Sequence, residues 1–292
     1  MEISIMQINR RRKFAYLGIA ALFVAGFFVW RALFPGGASV LRVSFLSVGE
    51  GRAIFVQAPS GATVLIDGGP DASVLRALAA ELGPLRRTLT MVIETNPQAS
   101  NAGGLPEVFA RYRVGGLLRA GVPNSTPASR MVAAAAGNTP GLVQSELVRG
   151  TRIELGDGAY IEALAPDRDV SGADAATGSL VLKLVYGETS LLLPSDAPAG
   201  VQRWLTELDA TTTLKSDVLA VGHFGAEDSV ESGWLAAAHP RFAVISVGEN
   251  PYGYPATSTR TALRAARAQI LTTATSTVTF ISDGRTVWRE EK

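Results

Sequence analysis

Residues 88–94, TLTMVIE, limit the possible folds more than any other stretch of the chain. They read as a largely apolar strand. A strand of this kind is buried on both faces, so further layers must cover both sides of its sheet. Closely spaced strands precede it at 40–49, 52–59 and 62–69, joined by glycine-containing turns. Because strands alternate with helices further along the chain, the order predicts a layered α/β sandwich.

Helical periodicity predicts the outer layers of this sandwich. The helices are predicted over 71–83, 104–116, 127–137, 197–208, 230–238 and 257–268. A hairpin of alternating apolar residues is predicted at 179–196, and short strands separate the later helices.

The N-terminus predicts a membrane anchor. The cationic run RRRK at 10–13 is followed by seventeen residues without a charge. The segment 14–34 is long enough to span a bilayer, with Arg31 able to extend to the far interface. The excess of cations before the span places the N-terminus in the cytoplasm and the bulk of the chain on the extracytoplasmic side. A cleaved signal peptide is the alternative, but the apolar stretch is too long and RALFPGGAS is a poor cleavage site.

These signals divide the chain into four parts, which are a basic segment 1–13, the anchor 14–34, a linker 35–39 and a domain 40–292. Five of the 27 Lys and Arg residues and one of the 26 Asp and Glu residues lie in 1–34. Residues 35–292 therefore carry 22 positive and 25 negative charges, a net charge of −3. This balance argues against a strong phosphate-binding surface on the domain, although Arg111, Arg113, Arg119 and Arg130 offer a local basic patch.

Residue counts restrict the metal chemistry. The chain has no cysteine, which excludes thiolate sites, and only two histidines, His223 and His239. A zinc site built from several histidines is therefore excluded. His239, which precedes a proline at a predicted helix end, reads as a C-terminal cap.

The loop after the apolar strand has the position of an active site but not its residues. TNPQASNAGG at 95–104 contains only amides and hydroxyls before a Gly-Gly and a helix. Ser100 as a nucleophile with His223 as its base is disfavoured, because QASNAGG does not form a nucleophile elbow.

The order of several phrases resembles one family. LRVSFLSVGEGRAIFVQAPSGATVLIDGG, TNPQASNAGGL, GSLVLKLVYGETSLLLPSD, DVLAVGHFG, FAVISVGENPYGYP and VTFISDG follow each other over about residues 40–289. Together they resemble the metallo-β-lactamase-fold domain of the ComEC family, which takes part in DNA uptake during competence. The resemblance implies a four-layer αββα sandwich with a metal site at one edge, preceded here by one transmembrane helix.

The same resemblance shows which metal-site positions have changed. Where the family loop reads like THPDADHIGGL, this chain has neutral residues at the ligand and base positions. Two later positions carry aromatic residues where histidines are expected, and SVGEGRA replaces DVGQGDA, so that Ser47, Glu50 and Arg52 stand for Asp, Gln and Asp. The vestigial positions are Asn96, Gln98, Ser100, Asn101, Asp196, His223, Phe224 and Tyr254.

Asp196 and His223 are retained, and Asp67 in LIDGG is expected to order its turn. Two good ligands are too few for a catalytic zinc, so neither a metal nor a catalytic residue is expected. A hard cation weakly held by Asp196, His223, Asp67 and amide oxygens stays open as an alternative.

Three functions follow. The first is a membrane-anchored pseudoenzyme that binds a partner, most simply another protein, or acts as a scaffold. The second is an active metal-dependent hydrolase or nuclease with an unorthodox site. The third is a nucleic-acid-binding accessory of DNA uptake, which the charge of the domain does not support.

Overall fold

The structure is a computed structural model. It describes the residues 16, 19, 22–26, 40–83, 85–123, 126–167, 169–209, 213–227 and 229–291. The chain divides into two compact units, Met1–Ser39 and Val40–Lys292.

In the first unit, Tyr16, Ile19 and residues 22–26 are helical. The rest of the predicted anchor 14–34, the basic segment 1–13 and the linker 35–39 lie outside the described residues. Among the residues that are described, no helix is long and apolar enough to cross a membrane. The membrane anchor therefore stays a prediction.

The second unit contains two sheets. The first has eight strands in the order β15-β14-β1-β2-β3-β4-β5-β6. Its strands are β1 (Leu41–Phe45), β2 (Ile54–Gln57), β3 (Thr63–Ile66), β4 (Thr88–Glu94), β5 (Arg113–Arg119), β6 (Val143–Glu146), β14 (Val278–Ser282) and β15 (Val287–Arg289). Strands β3 to β6 run parallel to one another, whereas β1 pairs antiparallel with both β2 and β14.

The second sheet has seven strands in the order β13-β12-β11-β10-β9-β8-β7. They are β7 (Arg152–Gly156), β8 (Ala159–Ala165), β9 (Val181–Tyr186), β10 (Thr189–Leu193), β11 (Val218–Val221), β12 (Phe242–Ile245) and β13 (Gln269–Thr272). Strands β10 to β13 are parallel, as the strand–helix alternation of the sequence predicts.

Three apolar cores hold four layers together. One lies between the sheets and contains Val43, Val56 and Leu182. The second packs helices against the first sheet, and the third packs helices against the second sheet. The helices are α1 (Ser73–Leu82), α2 (Ala99–Ala102), α3 (Leu105–Arg111), α4 (Pro127–Gly137), α5 (Ala199–Asp209), α6 (Ser232–Ala238) and α7 (Thr257–Ala265). This arrangement confirms the α/β sandwich.

The predicted helix 104–116 is too long. Helix α3 ends at Arg111, and β5 begins at Arg113, which pairs with Thr88 of β4. Gly115 and Gly116 weaken the helical tendency of this stretch, and its backbone groups form hydrogen bonds with the parallel strand β4 instead.

The ends of four strands, two from each sheet, lie at one edge of the sandwich. The segments after β3, β4, β10 and β11 begin at Asp67, Thr95, Pro194 and Gly222. Close approach of these loops requires small residues, because a Cβ on Gly104 would lie 2.3 Å from the carbonyl oxygen of Gly68. The Gly-Gly of the sequence motif therefore lets the loop after β4 pack closely against the loop after β3.

Candidate functional site

Arg52 lies at the centre of this edge and joins the two sheets. Its Nε donates to Asp67 Oδ2 at 3.1 Å, and its Nη2 donates to Asp196 Oδ1 at 3.1 Å and to Ser195 Oγ at 3.0 Å. The side chain is only 5% exposed. Burial disfavours the charge, but the two carboxylates outweigh it and raise the pKa of Arg52 above its usual value. Arg52 is therefore a fixed, buried cation.

Asp67 belongs to the first sheet and is fully buried. Its Oδ1 accepts from the Thr95 backbone N at 2.8 Å, and its Oδ2 accepts from Thr95 Oγ1 at 2.7 Å as well as from Arg52. Burial raises the pKa of Asp67 to about 6, although Arg52 and the bonds from Thr95 oppose this shift.

Asp196 follows β10 of the second sheet and, like Asp67, accepts three hydrogen bonds, one of them from Arg52. Asn101 Nδ2 donates to its Oδ2 at 2.8 Å, and the His223 backbone N donates to its Oδ1 at 3.1 Å. Burial alone would raise the pKa of Asp196. The charges of Arg52 and His223, together with these hydrogen bonds, outweigh it, so the pKa lies below its ordinary value.

The side chains of His223 and Asn101 point their donors at Asp196. His223 Nε2 lies 2.8 Å from the backbone carbonyl oxygen of Asp196, which can only accept, so Nε2 carries the proton. Asn101 donates through its amide nitrogen, and its buried Oδ1 has no hydrogen-bond partner among the described residues. Neither side chain presents a lone pair toward Asp196.

Three other predicted positions of the β4 loop do not join this cluster. Asn96 is buried, but its Nδ2 donates to Ser179 Oγ at 2.8 Å and to the Ala175 carbonyl at 3.0 Å. Gln98 is exposed at the start of α2. Ser100 contributes only its backbone carbonyl, which accepts from the Arg52 N at 3.0 Å.

The aromatic positions fill space beside the site. Phe224 and Tyr254 both pack against the apolar core of the second sheet. The Tyr254 ring stacks on Tyr252 with centroids 5.5 Å apart. Phe224 also has a φ of 55°. Residues with left-handed φ are also found at three other positions of this edge, Asp67, Ser195 and His223. Such conformations cost about 1–3 kcal/mol each and cluster at functional sites.

Glu94 is a third buried carboxylate, and the sequence did not indicate it. It ends β4, is 3% exposed, and neither of its carboxylate oxygens has a hydrogen-bond partner among the described residues. Burial raises the pKa of Glu94 to about 7, which Arg119 opposes and Asp67 reinforces.

Comparisons with known proteins show what this chain is similar to. No family model matches the chain. It is 32% identical over 120 residues to Recombination protein 2 of Haemophilus influenzae, covering 41% of this chain and 15% of that protein. It is 25% identical over 240 residues to ComE operon protein 3 of Bacillus subtilis, covering 75% of this chain and 30% of that protein. The chain thus spans less than a third of either relative.

Solved structures show the same fold. One is a metal-dependent hydrolase of the β-lactamase superfamily, which is 13% identical with a TM-score of 0.51 over 81% of this chain and 97% of that one. Another is the metallo-β-lactamase-fold protein YhfI from Bacillus subtilis, at 9% identity and a TM-score of 0.52 over 82% and 99%. The chain carries a ComEC-like metallo-β-lactamase-fold domain.

The site of this ComEC-like domain does not fit the metal that its fold family implies. The Arg52 guanidinium occupies the space between the two retained carboxylates, and a divalent cation placed there would meet a fixed positive charge. His223 Nε2 is a donor rather than a ligand. Among the described residues, no three His, Cys, Asp or Glu side chains are grouped so that they could hold a metal ion.

Sequence reasoning identified some of the ComEC-like site and missed its centre. Asp67, Asn101, Asp196 and His223 come together around Arg52, whereas Asn96 and Gln98 do not. Arg52 was visible only as a departure from a family motif. An arginine in place of an acidic residue of the motif is itself a signal, because it brings a positive charge to a site that retains two carboxylates.

Proposed function

We propose that this chain is a membrane-anchored, catalytically degenerate ComEC-like protein that acts as a binding or scaffold module. The setting that we propose from the resemblance to the ComEC family is an accessory role in DNA uptake. The observation that carries the proposal is the position of Arg52 between Asp67 and Asp196. The two carboxylates are neutralised from within the chain, so the edge keeps its shape without an exogenous cation.

The chemistry of arginine supports this reading. A guanidinium stays charged at every physiological pH and presents several donors in a rigid plane. Two of its hydrogen bonds, to Ser195 and Asp196, tie the first sheet to the second, and a third holds it to Asp67 of the first sheet. A metal could enter only by displacing a buried, bonded cation, which would leave that charge without partners. Hydrolysis through metal-activated water is therefore not the activity that these residues favour.

The rim of the edge supports a protein partner. Tyr252 is 66% exposed and stacks on Tyr254, on a loop that Asn250 holds through two donated and two accepted hydrogen bonds. Exposed aromatic residues on an ordered loop are enriched at protein interfaces. A binding role needs only this ordered rim, not a reactive centre.

Metal content tests the proposal. The full-length protein is purified in detergent without added metal and analysed by mass spectrometry for zinc and manganese, beside the matched variant Arg52→Asp. We expect far less than one ion per wild-type chain and metal uptake by the variant, because the variant replaces the cation with a third carboxylate. Stoichiometric zinc or manganese in the wild type, with phosphodiester hydrolysis lost on chelation, would instead favour an active hydrolase.

A further inference from the structure

The strand registers define an end of the first sheet opposite to the site, which we call the basal end. Leu41 at the start of β1 lies beside Ser282 at the end of β14, and Thr88 at the start of β4 lies beside Arg113 at the start of β5. Since β2 runs antiparallel to both β1 and β3, the starts of β1, β3, β4 and β5 all lie at this end. Val40, where the second unit begins, is therefore at the basal end too.

A basic hollow of about 790 Å³ opens at this end between α3, α4 and the starts of β4 and β5. Arg87, Arg111 and Arg113 line it. Arg87 is held in place, since its Nη1 donates to the Tyr112 hydroxyl at 3.3 Å and its guanidinium carbon lies 5.5 Å from the Tyr112 ring centroid. These contacts position the charge without neutralising it.

Carboxylates neutralise little of this charge. Glu107 lies 3.8 Å from Arg111, but both side chains are about half exposed or more, so the pair is screened by solvent. Among the described residues, no carboxylate oxygen lies within 4 Å of Arg86, Arg87 or Arg113. Glu81, in the last turn of α1 before Leu85, lies 3.2 Å from Arg42 Nε, whereas Asp157, Glu188, Asp217 and Asp283 lie in turns or segments beside other strands.

An apolar side chain stands beside the cations. Leu85 is 94% exposed, and the adjacent Arg86 donates to the Gly61 carbonyl at 3.5 Å. The aromatic residues of the hollow, Phe109 and Tyr112, are by contrast buried. Leucine beside clustered arginines suits the interfacial layer of a membrane, whereas single-stranded nucleic acid requires exposed rings on which bases stack.

We propose that the basal end docks on an anionic lipid surface through Leu85, Arg86, Arg87, Arg111 and Arg113, the basal patch. The inference rests on the proposed membrane anchor. A five-residue linker spans at most about 18 Å when extended. Three strand spacings of about 4.8 Å separate β1 from β4 and four separate it from β5, so the patch lies about 14–19 Å from the entry of the chain. A bilayer that holds the anchor is therefore within reach of these arginines.

The lack of cysteine allows a direct test on the full-length chain. A single cysteine is introduced either by Ala110→Cys in the hollow or by Ser171→Cys on the loop beside the site, and is labelled with a fluorophore. Both positions are exposed, so the two variants are matched controls. The protein is reconstituted into vesicles of phosphatidylcholine with or without phosphatidylglycerol, and quenching by lipids with nitroxide headgroups is measured. Flotation at alkaline pH reports separately whether the anchor is inserted.

We expect the Ala110→Cys label to be quenched at least about twofold more than the Ser171→Cys label, and only in phosphatidylglycerol vesicles. High salt, or the fourfold change of Arg86, Arg87, Arg111 and Arg113 to Glu, should abolish the difference while flotation persists. Equal quenching of the two labels in floated protein would overturn the inference while leaving the anchor intact. So would a salt-dependent response of the Ala110→Cys label to duplex DNA but not to anionic lipid.

If the chain does not float, the proposed anchor is wrong. The inference then depends on whether the same chain co-sediments with phosphatidylglycerol vesicles at low salt. Salt-sensitive co-sedimentation that the fourfold variant loses would support it, and no co-sedimentation would overturn it.

Discussion

Replacing Arg52 with methionine isolates the contribution of the buried cation. Methionine fills much of the same volume but removes the donors to Asp67, Ser195 and Asp196. The two carboxylates stay buried and lose their shared counter-charge. Their remaining hydrogen bonds come from neutral groups, chiefly Thr95 and Asn101.

Removing one partner of a buried ion pair destabilises a protein by about 3–5 kcal/mol. For a domain of this size, 1 kcal/mol corresponds to roughly 2–4 °C in Tm, so Arg52→Met should lower the Tm by roughly 6–20 °C at pH 8. The loss should shrink as the pH falls toward 5, because the carboxylates can then bind protons, which substitute for the missing cation. In the wild type, Asp196 keeps its ion pair with Arg52 over this range because its pKa is lowered, whereas Asp67, with a pKa of about 6, takes up a proton toward pH 5.

Thermal unfolding of the full-length protein, followed by circular dichroism between pH 5 and pH 8, measures this effect. Arg52→Lys keeps the charge but not the forked geometry, and should lose less. Adding Asp196→Asn to Arg52→Met should recover part of the stability, because it removes one of the two unpaired charges. A Tm for Arg52→Met within about 2 °C of the wild type at pH 8 would refute the bridging role of Arg52.

Three further predictions address the site and the topology. The free energy of unfolding should fall as the pH rises from 4.5 through about 7, because Glu94 must lose its proton in a buried position. The variant Glu94→Gln should flatten this pH dependence and stabilise the protein by up to about 3 kcal/mol at pH 8. Urea unfolding of both proteins measures the difference. Chelators should leave the wild-type Tm unchanged but lower that of metal-loaded Arg52→Asp, and a reversible loss of several degrees in the wild type would contradict the cation role of Arg52. A periplasm-dependent reporter fused after Lys292 should be active, and activity of a cytoplasm-dependent reporter instead would contradict the predicted topology.

The fold could be predicted from the sequence because the patterns that indicate each strand and helix lie within short stretches of the chain. Apolar runs such as 88–94 and the periodicity of 127–137 reflect the face that each element buries, and the structure has both elements at these bounds. The helix over 104–116 was wrong at its end, where pairing of β5 with β4 decides the backbone. Such pairing depends on a partner that the local pattern does not reveal.

The site was harder to predict because its contacts cross the fold. Asn96 lies in the expected loop, yet its amide bonds to Ser179, 83 positions later in the chain. Arg52 reaches Asp196 across 144 positions. Sequence comparison shows which residue types changed, but the direction of a long side chain depends on donors and acceptors contributed by distant strands.

The position of β1 affects how the domain is made. This strand pairs with β14, and Arg42 bonds to Glu290, 248 residues further along the chain. During synthesis, β1 therefore leaves the ribosome long before its second neighbour exists, and its edge of the first sheet stays open until β14 has been made. Pairing over such a separation folds slowly and exposes a strand edge in the meantime. A chain truncated before residue 278 should therefore aggregate rather than accumulate as a smaller folded domain.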